Sequence, residues 1–191
     1  MPIVNHRQQA PTIDGIRADH VARYRFAAEL LGGDAVLDAA CGCGYGSAIL
    51  AQAGCLTVGV DKAPEAIAWA RSYFGAGRTV FLERDLAQVE GPFDAVVSFE
   101  TLEHLDDPLP ALAAFAACAH TLVASVPNET LNPYRAERFP DHVRHYSPAD
   151  FDALLRAAGW RPLAWHHQAD RKPGTVLTGP DGIHTIVVAE R

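Results

Sequence analysis

The stretch Asp38-Ala39-Ala40-Cys41-Gly42-Cys43-Gly44-Tyr45-Gly46 decides the fold. It opens inside the short apolar run Ala35 to Ala39, which reads as a buried parallel strand. The run feeds a glycine loop, and Ser47 to Ala53 then suits a helix. Gly42, Gly44 and Gly46 alternate, so the backbone can turn tightly and a ligand can approach main-chain N–H groups. The same loop also suits a tight strand-to-helix turn that binds nothing. Its G-x-G-x-G spacing departs from the G-x-G-x-x-G dinucleotide fingerprint, which leaves a nicotinamide-dependent oxidoreductase as a rival.

Outward from the loop the chain alternates. Asp19 to Leu31 has helical spacing and stops at Gly32-Gly33. Strands are expected at Leu56 to Val60, Thr79 to Leu82, Phe93 to Phe99 and Thr121 to Val126. Helices are expected from Pro64, after Pro108, and from Ser147-Pro148-Ala149-Asp150, where a Ser N-cap precedes Pro and an acid. Two late strands, Leu163 to His167 and Ile183 to Ala189, have no helix between them and should be antiparallel. The pattern predicts an α/β sheet, mostly parallel, with helices on both faces and ligands outside the strands' carboxyl ends. Residues 1–18 read as an N-terminal arm and 19–191 as one domain.

Composition bounds the function. The 191 residues suit a single core, with 49% hydrophobic and 20% charged residues. Lys+Arg number 16 against 23 Asp+Glu, a net charge of −7, so a nucleic-acid partner is not favoured. Four Cys without a CxxC pair suit reduced thiols and a cytoplasmic setting. No signal-like N-terminus or long apolar run argues for a membrane. The expected partner is a small molecule, and the expected state a monomer or homodimer.

Single residues add chemistry. Asp61 ends the second strand, where a carboxylate can accept both hydroxyls of a ribose or cap the following helix. Asp85, beside Leu86, can accept from an exocyclic amine. Arg23, within Arg23-Tyr24-Arg25, suits an amino-acid carboxylate.

Together, VLDAACGCGYG, GVDKAPEAIAWA, ERDLAQ and FDAVVSFETLEHLDDP resemble the class I S-adenosylmethionine-dependent methyltransferases, from about Arg23 to the end of the chain. The resemblance implies a Rossmann-like seven-stranded sheet with an antiparallel last strand. It implies that the loop from Asp38 through Ala40, Cys41, Gly42 and Gly44 to Gly46 cradles the methionine portion of S-adenosylmethionine. Asp61 and Lys62 would meet the ribose, Asp85 and Leu86 the adenine, and Ser98, Phe99 and Glu100 the sulfonium side, with Arg23 and Tyr24 above. Ala40 replaces a frequent Gly and should be tolerated at negative φ.

Glu100-Thr101-Leu102-Glu103-His104 resembles the metal-binding E-x-x-E-H of some O-methyltransferases, in which a further histidine takes part; His142 or His145 is available. On a helical turn Glu100, Glu103 and His104 share one face and suit a divalent cation. Metal-free family members carry the same segment, so a metal is not favoured. Without one, His104, His142 or His145 is the expected general base. The polar loop from Pro127 to Tyr146 has the length and position of a substrate lid. The expected activity is methyl transfer to O or N of a small acceptor; a non-catalytic sensor or regulatory subunit is the alternative.

Overall fold

A computed structural model describes residues 8–171 and 174–191; residues 1–7 of the expected arm lie outside them. The elements run α1 (Ala18–Leu30), β1 (Ala35–Ala39), α2 (Tyr45–Gln52), β2 (Leu56–Asp61), α3 (Pro64–Phe74) and β3 (Thr79–Glu83). They continue with β4 (Ala95–Phe99), α4 (Leu109–Cys118), β5 (Thr121–Pro127), α5 (Pro148–Ala157), β6 (Arg161–Gln168), β7 (Leu177–Thr178) and β8 (His184–Glu190).

One sheet joins all the strands in the order β3-β2-β1-β4-β5-β8-β6-β7. β1 to β5 pair in parallel, and β8 runs antiparallel to both β5 and β6. The seven expected strands are present. An eighth, the two-residue β7, pairs antiparallel with β6. A ladder that short has no alternation for a sequence to display. The chain progresses outward from β1 in both directions, to β2 on one side and β4 on the other. The crevice of such a sheet opens at that reversal, beyond the carboxyl ends of β1 and β4.

β4 is buried along its whole length, so both of its faces must be covered. Successive residues take opposite sides: Val96 packs with Leu112, Phe115, Phe151 and Trp160, and Val97 with Tyr24, Ala27, Val36 and Leu50. Ala10 and Ile16, ahead of α1, join the second of these layers. The α5 start reads as expected: the Ser147 hydroxyl accepts from the Asp150 N–H at 3.2 Å and donates to its carboxylate at 2.6 Å. Helix α2 begins two residues earlier than the sequence suggests. Gly44, at φ 87, ends the loop, so Tyr45 and Gly46 already belong to the first turn. Among the described residues, no helix is long and apolar enough to cross a membrane.

Candidate active site

A cavity of about 950 Å³ occupies the crevice. Its floor comes from the β1–α2 loop through Ala40, Cys41 and Gly42, and its sides from Asp61, Lys62, Asp85 and Leu86. Tyr24, Phe99 and Glu100 face it from α1 and the end of β4. Glu103, His104 and His142 line it as well. The cavity thus joins the glycine loop to the histidine-bearing lid.

Five of the residues expected against the cofactor are not among those lining the cavity, and their placement is revised; one of them, Ser98, is wholly buried within β4. Asp38 is wholly buried beneath the loop and accepts hydrogen bonds from the Tyr24 hydroxyl at 2.9 Å and the Ser47 hydroxyl at 2.6 Å. Burial pushes its carboxyl up to about 6, against the pull of those two donors. Asp38 therefore pins α1 and α2 to β1. Gly46 faces the Tyr24 ring, which lies 2.1 Å from where a Cβ would stand. Gly44 likewise lies against Ala70 and Phe81, and its left-handed φ explains the glycine. Arg23 is buried at 1% exposure and donates to the Gln168 amide oxygen.

Ala40 is also corrected: its φ is 60, not negative. The left-handed conformation costs alanine roughly 1–2 kcal/mol, and it delivers the Cys41 N–H to the Val60 carbonyl at 2.8 Å. Asp61 serves two elements at once. Its carboxylate accepts from Gly42 N–H at 3.0 Å and from Ala63 N–H at 2.9 Å, tying the glycine loop to the start of α3. Asp85 accepts from Ala87 N–H at 2.8 Å at the tip of β3.

The expected trio Glu100, Glu103 and His104 does not form. Glu100 sits at φ 51, which breaks the helical turn that would have aligned it with Glu103. Its carboxylate turns instead to Ser125 Oγ at 2.8 Å and His184 Nε2 at 3.2 Å. Burial pushes Glu100 up, but His184, Arg23 and the Ser125 hydrogen bond outweigh it and hold the group at about 2. His142 takes the vacated place: ligand atoms of Glu103, His104 and His142 lie within 4.8 Å of one another. Glu103 is wholly buried, and neither of its oxygens has a hydrogen-bond partner among the described residues. Burial and the Glu100 charge raise its carboxyl well above the ordinary range. One carboxylate and two imidazoles at this separation fit a divalent cation.

The lid arrives at this cluster on several ties. His104 Nδ1 meets the Asp141 carbonyl at 2.8 Å, and Val143 N–H donates to the Glu103 carbonyl at 2.7 Å. His145 is not among the cavity-lining residues and is only 7% exposed; it lies behind His142.

Other cavity residues were not singled out from the sequence. His20, on α1, lines the cavity and its Nδ1 lies 2.9 Å from the Tyr45 hydroxyl. Its position four residues before Tyr24, on the same helical face, was the available signal. His184 and Phe139 gave none. Burial lowers His20 to about 3, with the Arg23 and Arg17 charges acting the same way against the carboxylates of Asp19 and Glu100. An unfolded histidine gains its proton near 6.5, so folding stability falls as pH drops from about 6.5 toward 3. His20→Gln is expected to spare about 2 kcal/mol of the stability lost between pH 7 and pH 5. Urea unfolding at the two pH values checks this; an unchanged acid loss in the variant would refute it.

A family model described as a methyltransferase domain matches residues 16–164. The chain belongs to this methyltransferase family. S-adenosylmethionine is the methyl donor of this family. The methyltransferase is 32% identical over 184 residues to a ubiquinone biosynthesis O-methyltransferase of Xylella fastidiosa, covering 81% of this chain and 71% of that one. Its structure is similar to magnesium protoporphyrin IX methyltransferase from Synechocystis PCC 6803 with bound S-adenosylmethionine, at 25% identity, TM-score 0.64, 91% of this chain and 77% of that one. The fold is shared with the CcbJ methyltransferase of Streptomyces caelestis, at 16% identity, TM-score 0.73, 91% of this chain and 95% of that one.

Proposed function

We propose that this methyltransferase moves a methyl group from S-adenosylmethionine to a hydroxyl oxygen of a small-molecule acceptor. The observation that carries the proposal is the single cavity running from the glycine loop to Glu103, His104 and His142. The donor is held by the backbone at Ala40 to Gly42, by Asp61 and Lys62 at the ribose, and by Asp85 and Leu86 at the adenine. The acceptor lies against Phe139 and the histidine cluster. Oxygen as the acceptor is supported by relatives named O-methyltransferases. The net charge of −7 gives no support to a polynucleotide acceptor. Four cysteines, none in a disulfide, support a cytoplasmic setting.

The sulfonium already makes the methyl electrophilic, so the protein's part is alignment and removal of the acceptor's proton. Burial, with His104 and His145 nearby, lowers His142 to about 4, so its imidazole is neutral at pH 7 and able to accept that proton. A second reading is favoured by the Glu103 oxygens, which have no hydrogen-bond partner among the described residues. A divalent cation held by Glu103, His104 and His142 would supply Lewis-acid polarisation of the acceptor oxygen.

Incubation with radiolabelled S-adenosylmethionine and a panel of phenols and sugars is expected to label a hydroxyl; binding without turnover on any acceptor would favour a sensor. Asp61→Ala is expected to weaken S-adenosylhomocysteine at least about tenfold, through the lost ribose contact and the freed Gly42 loop. Unchanged affinity by calorimetry would remove Asp61 from the cofactor site.

A further inference from the structure

Three histidines in the lid and the adjoining turn are linked by contacts that leave little freedom in their protonation. His145 Nδ1 lies 2.6 Å from the Asn132 main-chain carbonyl, which can only accept. That nitrogen therefore carries the proton, and in the neutral ring Nε2 carries none. His145 Nε2 in turn lies 2.8 Å from His142 Nδ1, so His142 must be the donor there. The second nitrogen of His142 is then bare, and His142 lines the cavity. Phe139 holds both rings in place, stacked on His142 at 5.1 Å and edge-on to His145 at 4.6 Å between centroids. His104 follows the same logic: Nδ1 donates to the Asp141 carbonyl, leaving Nε2 bare.

We propose that His145 is a positioning residue rather than the base: anchored on the Asn132 carbonyl, it fixes His142 as the Nδ1–H tautomer and keeps the Nε2 lone pair turned to the acceptor. A free neutral imidazole prefers the opposite tautomer, with the proton on Nε2. Left to itself, His142 would present an N–H to the cavity, which neither accepts a proton nor ligates a cation. His145 reverses that preference, and it does so under both readings of the cluster. The proposal rests on methyl transfer at His142 only for its consequence; the tautomer itself is observable without turnover.

The test is long-range ¹H–¹⁵N correlation of the histidine rings at pH 7.5, on the protein with S-adenosylhomocysteine and no acceptor. The wild type is expected to show Nδ1–H at His142 and at His145. His145→Leu is expected to move His142 to Nε2–H, and to lower methyl transfer at unchanged S-adenosylhomocysteine affinity. His145→Gln, whose amide can donate to Asn132 and accept from His142, is expected to restore the Nδ1–H form. Nε2–H at His142 in the wild type would overturn the proposal, as would an unmoved tautomer in a folded His145→Leu. A correct tautomer in a protein with no transferase activity would instead count against the proposed function alone.

Discussion

His142→Ala is expected to lower the rate of methyl transfer by about 10²–10⁴-fold, the span of a lost general base. S-adenosylhomocysteine should bind as before, because His142 belongs to the lid and not to the loops after β1, β2 and β3 that are proposed to hold the donor. The imidazole is neutral for a physical reason: burial and two neighbouring histidines disfavour its protonated form. Single-turnover measurements with saturating donor would isolate the chemical step. A rate within about twofold of wild type would remove His142 from the reaction, since even a modest base contributes far more than that. Extensive EDTA treatment of the wild type separates the two roles. Activity that survives leaves His142 as the base, whereas activity lost and restored by Mn²⁺ assigns the cluster to a cation.

Gly46→Ala is expected to destabilise the fold by at least about 3 kcal/mol, beyond the usual range for overpacking. Its Cβ would stand 2.1 Å from the Tyr24 ring. The ring has nowhere to retreat. Its hydroxyl is bonded to Asp38, and its faces and edges meet Tyr45 at 5.6 Å and Phe99 at 5.0 Å. Displacing it leaves a buried carboxylate with one donor fewer, which costs about 1.5–3 kcal/mol on its own. Urea unfolding gives the size of the loss, and Gly46→Ala combined with Tyr24→Leu gives its cause. The pair should lose clearly less than the sum of the single changes. Additive losses would mean that the clash is not with Tyr24.

These two expectations mark where the sequence was informative. Periodicity and the glycine loop revealed the parallel sheet, because hydrophobic runs and left-handed turns leave local traces. The capping half of the Asp61 reading was legible for the same reason: the residue stands at the end of a strand, and the two bonds seen go to nearby N–H groups of the glycine loop and the start of α3. Gly46 was not separable from Gly42 by pattern. Both are glycines at alternate positions, yet one lines the cavity and the other makes room for an aromatic ring 22 residues earlier in the chain. Glu100 misled for a conformational reason, since a positive φ in a non-glycine residue leaves no mark in the sequence. His184 reaches Glu100 from a strand 84 residues away, a contact that only the antiparallel return of β8 creates.

The lid's two ends meet. Asn128 and Tyr146 form a bridge, Glu129 N–H donates to the Tyr146 carbonyl at 3.0 Å, and Tyr146 N–H donates to the Pro127 carbonyl at 3.2 Å. A segment closed at its base in this way is a cassette. Its interior ahead of Phe139, His142 and His145 can be exchanged, lengthened or re-sequenced without changing the distance that the flanking strand and helix must span. The loops after β1 and β2, which are proposed to hold the donor, lie outside this segment. Under the proposed function, acceptor preference is separable from methyl-donor binding, and a graft of residues 129–141 that keeps Phe139 would redirect the transfer while His142 and His145 stay in place.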